Sequence, residues 1–369
     1  MKKIIGILLI FLMFACPYYI CNAEVELVLN SKSAILIEPT TESIVYTKNA
    51  HEKRSPASMT KIMSLKIIFD CYKDGKFKME DLVTTSEYAS SMGGSQIFLS
   101  VGEQMIVEDL IKSIIIASAN DACVAMAEFT YGSEEAFVEQ MNKEAKNLGL
   151  TNTNFVNCTG LPTNNHYTTA HDMALIACSL LNNHADEVLP ISSRYDDYIR
   201  EGTEKQFWLV NTNKLVRFVE GIDGLKTGWT VEAGYCLTAT MCKNDIRFVA
   251  VAMGAETPQK RNSDIVNMLQ YGVSNYEIVS LYNKDDSVKE VEDILSRPNK
   301  YHLVVPKDIN ILKRKGVDLG EVSTKINKNE LEIYIDDKFF QSVKLEIKEV
   351  LSKANFLEIF LEIIGQMFG

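Results

Sequence analysis

Two groups of strand-like sequence, separated by a long helical stretch, limit the folds that this chain can adopt. Residues 33–50 contain an apolar run, a polar turn at Thr40–Glu42 and then alternating apolar residues, which is typical of a hairpin. Residues 235–254 contain two longer apolar runs joined by a turn at Lys243–Asp245. This order favours one sheet that is assembled from both ends of a domain, with a helical part inserted between them.

The intervening stretch carries helical patterns with start and stop signals. Val107–Phe129 has apolar residues at helical spacing, and Ser133–Leu148 begins at a serine cap and ends before a glycine. The Thr-x-x-Asp pattern at Thr169 predicts the capped start of a helix that runs to Leu181. We therefore expect a mixed α/β (α+β) domain over residues 24–275, since 369 residues can hold one large domain and a smaller one.

The sequence changes character near Tyr276. From residue 276 to residue 350, short runs alternate apolar and polar residues in the manner of strands. We interpret these residues as a small, separate and mainly β domain.

The last 19 residues, Leu351–Gly369, predict an amphipathic helix. Asn355, Glu358, Glu362 and Gln366 form a polar stripe, and apolar residues cover the remaining face. At about 1.5 Å per residue the segment could almost cross a hydrocarbon core, but two carboxylates in its middle make crossing costly. We predict an anchor that lies on the membrane surface. A helix that docks on its own protein or on a partner is the alternative.

The first 23 residues have the pattern of a secretory signal peptide. Lys2 and Lys3 precede an uncharged apolar run, and the segment ends in Cys-Asn-Ala. Cleavage after Ala23 predicts a protein that acts outside the cytoplasm. Cys16 leaves a lipoprotein-type cleavage as the alternative.

Charge and cysteine content exclude several classes of function. The net charge of −11 becomes −13 when the two lysines of the signal peptide are removed, so binding to nucleic acid, which needs a basic surface, is not expected. The six cysteines after residue 23 are scattered among apolar neighbours, so we expect free buried thiols. The His and Cys spacings do not suit zinc, and we expect neither metal nor cofactor.

The segment RSPASMTKIMS brings a hydroxyl and an amine together. Ser58 and Lys61 are three residues apart, hence neighbours on one helix face, and Pro56 suits the start of that helix. A serine hydroxyl is a weak nucleophile unless a base lies beside it, and lysine can be that base only when its amine is neutral. Burial and a second cation both lower the pKa of a lysine. A solvated surface pair is the alternative interpretation.

Two further polar motifs stand in apolar surroundings. Ser118 and Asn120 interrupt the segment IIIASANDACVAMAE, so they must be hydrogen-bonded or face a cleft. Lys226, Thr227 and Gly228 lie in a glycine-flanked strand whose edge can meet an extended substrate. Singly, these motifs are compatible with a helix cap and a solvated turn. Together, in this order and in an exported chain, they favour a catalytic set.

The three motifs Ser-x-x-Lys, Ser-x-Asn and Lys-Thr-Gly resemble those of penicillin-binding proteins and serine β-lactamases. Their surroundings, SPASMTKIM, IASANDACVAMAE, NHYTTAHDMALIA and DGLKTGWTVEAGYCLTAT, are similar to the serine-type D-alanyl-D-alanine carboxypeptidases, the low-molecular-mass penicillin-binding proteins. The resemblance covers about residues 27–275. It implies an antiparallel sheet flanked by helices with a helical subdomain, followed by a small β-rich domain and an amphipathic anchor.

The resemblance also implies how the chemistry is divided. Ser58 attacks the carbonyl between the two terminal D-alanines of a peptidoglycan stem peptide and forms an acyl-enzyme, while Lys61 takes the serine proton. Ser118 relays a proton to the leaving D-alanine, and Asn120 holds the substrate amide. Lys226 lies close enough to lower the pKa of its neighbours.

Binding of the substrate follows from the same resemblance. Lys226, Thr227 and Arg261 bind the terminal carboxylate, which suits a guanidinium. Gly228 belongs to the strand that the substrate meets, and the backbone N–H groups of Ser58 and Trp229 form the oxyanion hole. Ser90–Leu99 is expected to form a rim of the site. The implied partners are stem peptides, β-lactam antibiotics and, through the C-terminal helix, the extracytoplasmic surface of the membrane.

Three alternatives stay open on the motifs. The common class of β-lactamase with the same fold needs a Glu-x-x-Leu-Asn type segment, and none lies between Asn120 and Lys226. Endopeptidase or transpeptidase action on cross-links has the same motifs. A non-catalytic wall-binding protein is disfavoured, because a domain without chemistry has no physical reason to keep the whole catalytic set.

Overall fold

The structure is a computed structural model that describes residues 27–368. The predicted signal peptide, residues 1–23, therefore lies outside the described residues.

A five-stranded antiparallel sheet with the order β2-β1-β9-β8-β7 forms the centre of the larger part of the chain. Ile35 and Val251 pair across β1 and β9, where both ends of this part of the chain meet as the sequence predicted. Strand β7 is one edge of the sheet, and β2 is the other. The strands are β1 (Ser33–Glu38), β2 (Ser43–Lys48), β7 (Ile222–Thr230), β8 (Gly234–Lys243) and β9 (Ile246–Ala255).

Helices cover both faces of this sheet. Val249 and Val251 of β9 pack in one core, and Phe248 and Ala250 pack in another, so successive residues of the strand enter different cores. Burial on both faces explains why β9 is an unbroken apolar run. The helices are α1 (Lys61–Lys73), α2 (Glu87–Ser90), α3 (Val107–Lys112), α4 (Asn120–Tyr131), α5 (Glu134–Asn147), α6 (Ala170–Ser192), α7 (Leu215–Phe218) and α8 (Pro258–Asn275).

Two short hairpins lie among the helices, outside the central sheet. Their strands are β3 (Leu82–Thr84) with β4 (Gln104–Ile106), and β5 (Asp196–Ile199) with β6 (Phe207–Val210).

Two of the predicted helices differ from the structure. The helix expected over Val107–Phe129 is broken, because α3 runs into one π-helical turn and Ser118 then adopts a left-handed backbone with φ of 65° before α4 begins. Helix α6 runs to Ser192, but it is kinked at His184, whose φ of −143° and ψ of 29° are not helical. The predicted end at Leu181 lies three residues before this kink, where the buried His184 bonds Asp70 at 2.7 Å.

The C-terminal part of the chain consists of short strands and one helix. Its small sheets surround a core that includes Leu303, Val305 and Leu331. Lys315 donates its backbone N–H to the carbonyl of Asn275 at the end of α8. The strands agree with the alternation seen in the sequence; that they form a separate domain stays a prediction.

The elements of this part are β10 (Tyr276–Tyr282), β11 (Ser287–Glu292), β12 (Ser296–Arg297), β13 (Lys300–Val304), β14 (Ile309–Arg314), β15 (Val322–Asn327), β16 (Glu330–Ile335), β17 (Lys338–Lys344), β18 (Glu346–Ile347), β19 (Ser352–Lys353) and α9 (Phe356–Phe368). Within residues 27–368, no helix combines the length and the apolar character that crossing a membrane requires.

Candidate active site

Ser58 lies on a single 3₁₀ turn, Ala57–Thr60, that leads directly into α1. Lys61 is the first residue of α1 and is fully buried, whereas Ser58 is half-buried. The Nζ atom of Lys61 lies 3.2 Å from the Oγ atom of Ser58. The structure therefore brings the predicted pair into contact, although the serine precedes the α-helix rather than lying on its face.

Lys61 has two further contacts, both with oxygen atoms. Its Nζ donates to Oδ1 of Asn120 at 2.6 Å and to the carbonyl of Thr159 at 2.8 Å. Burial lowers the pKa of Lys61 to about 8, against the opposite effect of Asp121 and two buried thiols nearby. Within the described residues no carboxylate forms an ion pair with this amine.

Lys226 is the second buried lysine of the site. Burial, reinforced by the charge of Lys61, lowers the pKa of Lys226 well below its usual range. Lys226 was predicted to lower the pKa of its neighbours, Lys61 among them. In the structure burial is the main cause at Lys61, and the charge repulsion adds to burial at Lys226.

Ser118 and Asn120 lie on either side of the break between the π-helical turn and α4. The left-handed backbone of Ser118 turns the chain, and its side chain lines the cavity described below. Asn120 donates Nδ2 to the carbonyl of Gly93 at 2.6 Å, so its Oδ1 is left to accept from Lys61. The amide orientation of Asn120 therefore depends on the backbone carbonyl of Gly93.

The predicted rim loop, Ser90–Leu99, is held by residues that the sequence analysis did not select. Asp121, which is fully buried, accepts the backbone N–H groups of Ile97 and Leu99 at 3.1 Å. Arg200 donates Nη1 to the carbonyl of Ile97 at 2.9 Å. Asp121 could have been predicted from the sequence, because it places a carboxylate in an otherwise apolar segment. No sequence feature marked Arg200.

Strand β7 borders the Ser58 turn. A Cβ atom at Gly228 would stand 2.8 Å from the carbonyl oxygen of Pro56, so the strand can approach the turn only with glycine here. Next to it, Trp229 is 55% exposed and its ring lies 5.9 Å from that of Tyr235. The indole forms part of the wall of the cleft.

Arg261 in α8 is buried without a carboxylate partner among the described residues. Its guanidinium donates to Oδ1 of Asn262 at 2.8 Å and to the carbonyl of Cys236 at 3.4 Å. Burial lowers the pKa of Arg261 to about 10. Arg261 and Lys226 are thus two buried basic groups with neutral partners, and an anionic ligand would favour the charged form of both.

One cavity of about 500 Å³ joins these residues. Six predicted site residues line it, and Lys61, Asn120 and Lys226 lie behind that lining, buried. Thr212, whose Oγ1 accepts from Thr227 at 2.8 Å, was not predicted, since a lone threonine carries no signal in the sequence. The lining residues are Ser58, Ser95, Ser118, Thr212, Lys214, Thr227, Gly228, Trp229, Tyr235, Pro258, Gln259, Arg261 and Asn262.

A loop after α5 supports the Ser58 turn from the other side. His166 bonds Oγ1 of Thr60 through Nε2 at 2.9 Å and accepts the N–H of Val156 at Nδ1. Thr60 in turn donates to the carbonyl of Ala57 at 2.9 Å. Burial lowers the pKa of His166 to about 4, so this histidine is neutral at physiological pH and serves as structural support.

No group of three or more His, Cys, Asp or Glu side chains in the described part of the chain is arranged to hold a metal ion. The six cysteines of this part are free, and five of them are buried.

Comparison with known proteins gives consistent matches. The sequence profile of D-alanyl-D-alanine carboxypeptidases matches residues 21–257. The chain is 44% identical over 354 residues to the D-alanyl-D-alanine carboxypeptidase DacF of Bacillus subtilis (strain 168). The aligned residues cover 92% of this chain and 90% of that protein.

Solved structures match as well. Penicillin binding protein 5 from Haemophilus influenzae is 28% identical, with a TM-score of 0.77 over 88% of this chain and 98% of that one. A mutant of the Streptomyces K15 DD-transpeptidase is 26% identical, with a TM-score of 0.62 over 67% of this chain and 99% of that one.

Proposed function

The chain belongs to the D-alanyl-D-alanine carboxypeptidase family of serine-type peptidases, and from that premise we propose that it removes the terminal D-alanine of peptidoglycan stem pentapeptides through an acyl-enzyme on Ser58. The contact between Nζ of Lys61 and Oγ of Ser58 carries this proposal. It joins a nucleophile to a buried amine inside a cavity that also contains cationic groups.

The contacts of Lys61 suit a general base. A neutral amine has two N–H groups and one lone pair. Asn120 and the carbonyl of Thr159 accept the two N–H groups, which leaves the lone pair for the proton of Ser58. The serine oxygen then attacks the scissile carbonyl, and the proton that it loses passes to Lys61.

The leaving D-alanine needs a proton on its nitrogen when the C–N bond breaks. Ser118 lines the cavity beside Ser58 and is the group that we assign to this relay. The backbone N–H groups of Ser58 and Trp229 are assigned to the oxyanion. Loss of one such donor costs about 100- to 1000-fold in rate.

The terminal carboxylate is assigned to the two buried basic groups. Arg261 and Lys226 have neutral partners only, and Arg261 and Thr227 both line the cavity. A carboxylate there would compensate the charge of Arg261 and favour the charged form of Lys226, which makes the carboxyl end of the peptide the part that fits.

β-Lactams are expected to acylate Ser58 because they offer a carboxylate beside a reactive carbonyl. The described residues that line the cavity include no carboxylate that could activate a water for deacylation. This supports slow release of the penicilloyl group and disfavours a β-lactamase.

Transpeptidation is the second candidate. The similarity to the Streptomyces K15 DD-transpeptidase supports it, since that structure matches the part of the chain that contains the site. The products distinguish a carboxypeptidase from a transpeptidase, because only a transpeptidase joins an added D-amino acid acceptor to the peptide.

The decisive measurement is the intact mass of the protein after exposure to benzylpenicillin. We expect one penicilloyl adduct on the wild type and none on Ser58→Ala. Ser280→Ala, which removes an exposed hydroxyl of β10, is the matched control and should be acylated normally. An adduct on Ser58→Ala would refute the assignment. Release of D-alanine from a pentapeptide then identifies the carboxypeptidase activity.

Export and membrane association are part of the same proposal. The signal-peptide pattern of residues 1–23 and the apolar face of α9 support action at the extracytoplasmic surface of the membrane.

A further inference from the structure

Lys61 can act as a base only if its lone pair points at Ser58, and that direction depends on the two oxygens that accept its N–H groups. One is Oδ1 of Asn120, whose amide is held by the carbonyl of Gly93. The other is the backbone carbonyl of Thr159, which lies 2.8 Å from Nζ in the loop that follows α5. A carbonyl cannot rotate independently of its peptide plane. The groups that fix the peptide planes around Thr159 therefore also fix the direction of the lone pair.

Ser64 fixes the first of these planes. It lies one turn after Lys61 in α1, is fully buried, and donates through Oγ to the carbonyl of Cys158 at 2.7 Å. Residues three apart are neighbours on one helix face, so α1 binds two successive carbonyls of the loop, Cys158 through Ser64 and Thr159 through Lys61. The peptide plane between Cys158 and Thr159 is thereby tied to the helix that contains the base.

Asn157 fixes the second plane, which contains the Thr159 carbonyl itself. Its Oδ1 accepts the backbone N–H of Gly160 at 2.7 Å, and this N–H belongs to the same peptide unit as the Thr159 carbonyl. The same oxygen accepts the N–H of Thr159 at 3.2 Å, and Nδ2 donates to the carbonyl of Leu161 at 2.9 Å. In a trans peptide the N–H and the C=O point in opposite directions. Asn157 therefore holds this unit from one side while its carbonyl contacts Lys61 on the other.

We propose that Ser64 and Asn157 are positioning residues for the base: they hold the Thr159 carbonyl at Lys61 and so direct the lone pair of Lys61 towards Ser58. Neither of the two is among the lining residues of the cavity at Ser58, so they act through the loop and not on the substrate. The proposal rests on the proposed function, since it concerns the base of that reaction.

Displacement of the Thr159 carbonyl has a defined effect on the pKa of Lys61. A hydrogen bond to an ammonium is stronger than one to a neutral amine, so loss of the carbonyl disfavours the charged form, and the pKa should fall below its value of about 8. Water in place of the carbonyl would instead hydrate the ammonium and raise the pKa. The titratable groups that face Lys61 do not change in the variants below; they are Asp121 and Cys123 of α4, Cys158 of the loop and Lys226 of β7.

The test measures the second-order rate constant of benzylpenicillin acylation from pH 6 to 9.5 for the wild type, Ser64→Ala and Asn157→Ala. In both variants we expect the plateau at high pH to fall about tenfold, because the amine is no longer directed at Ser58. The midpoint of the profile should fall by about half a pH unit, because the ammonium has lost an acceptor.

Two matched controls remove side-chain hydrogen bonds of the same kind elsewhere. Ser192 is buried and donates to the carbonyl of Asp223 at 2.6 Å, and Asn154, near the start of the same loop, donates to the carbonyl of Asn165 at 2.7 Å. Ser192→Ala and Asn154→Ala should keep the plateau and the midpoint of the wild type.

Three results would overturn the inference. A wild-type midpoint in both alanine variants would show that the carbonyl is held without these side chains, and a raised midpoint would show that they only exclude water. Equal shifts in the controls would show that the effect is not particular to Lys61. If benzylpenicillin does not acylate the wild type at all, the proposed function fails instead, so the two failures are distinguishable.

Discussion

At the residue scale, Lys61 differs from an ordinary lysine because its side chain is fully buried and, among the described residues, forms no ion pair with a carboxylate. Its neighbours are a hydroxyl, an amide oxygen and a carbonyl oxygen. Burial without a counter-charge destabilises the ammonium form, which is why the pKa of Lys61 falls to about 8. The same burial that makes this lysine costly for folding makes it usable as a base.

This pKa predicts the pH dependence of acylation. Below about pH 8 Lys61 is protonated and cannot accept the proton of Ser58, so the second-order rate constant for benzylpenicillin should rise about tenfold per pH unit between pH 6 and 7. It should level off above about pH 8, as the amine becomes neutral. Stopped-flow acylation from pH 6 to 9.5, with circular dichroism to verify folding, measures the profile. A flat profile, or a midpoint near 10, would contradict the assignment of Lys61.

At the scale of elements, the Ser58 turn is held between strand β7 and the loop that contains His166. Glycine makes both approaches possible. Gly228 lets β7 lie against Pro56, and Gly160, with φ of +84°, lets the loop lie against Ala57. A Cβ atom on Gly160 would stand 1.8 Å from the carbonyl oxygen of Ala57, which no side-chain movement can relieve.

Gly160→Ala should therefore displace the turn that carries Ser58. We expect benzylpenicillin acylation to fall about 100-fold, since a shift of about 1 Å in a reacting group can have that effect. The free energy of unfolding should also fall by more than the cost of about 1–2 kcal/mol for a left-handed alanine. Acylation kinetics and urea unfolding measure the two effects.

Gly75→Ala is the matched control for this substitution. Gly75 has a similar φ of +73°, but nothing lies within 4 Å of its Cβ position. The free energy of unfolding of Gly75→Ala should fall only by the cost of a left-handed alanine, and its acylation rate should be normal. Similar behaviour of the two variants would show that the contact with Ala57 is unimportant.

At the scale of the whole molecule, the C-terminal helix α9 is attached through its acidic side. Arg297 lies 3.6 Å from Glu358 and 3.3 Å from Glu362, and Asn299 also donates to Glu362. These contacts account for the acidic stripe, because its carboxylates face the protein's own arginine. The apolar residues of α9 are left exposed, among them Phe356, Leu357, Phe360, Leu361 and Met367.

This arrangement predicts binding to lipid through apolar area alone, because α9 contains no basic residue. Replacing Phe360 and Leu361 together by Asp should lower partitioning onto vesicles at least tenfold. Zwitterionic and anionic vesicles should bind the wild type about equally. Vesicle co-sedimentation measures this, with Val317→Asp, an exposed apolar residue outside α9, as the control. Unchanged binding of the double variant would favour docking on a partner.

Local features of this protein could be predicted from the sequence better than features that depend on distant contacts. The strand pairs, the caps at Ser133 and Thr169 and the family motifs are local patterns, and the structure contains them. The break at Ser118 was not predicted, because the apolar spacing continues through it, whereas the turn is held in part by contacts distant in sequence, such as that from the N–H of Asn120 to the carbonyl of Ser95.

The sequence by itself determined which groups this protein can use: two serine hydroxyls, two lysines, an arginine and an amide, in the order of a known family. Only the tertiary structure decided how reactive those groups are. Lys61 contacts Asn120, 59 residues away, and Thr159, 98 residues away, and the pKa that makes it a base arises from the burial that these segments complete. Side-chain identity is local, whereas burial and distance are properties of segments far apart in the chain, and reactivity depends on both.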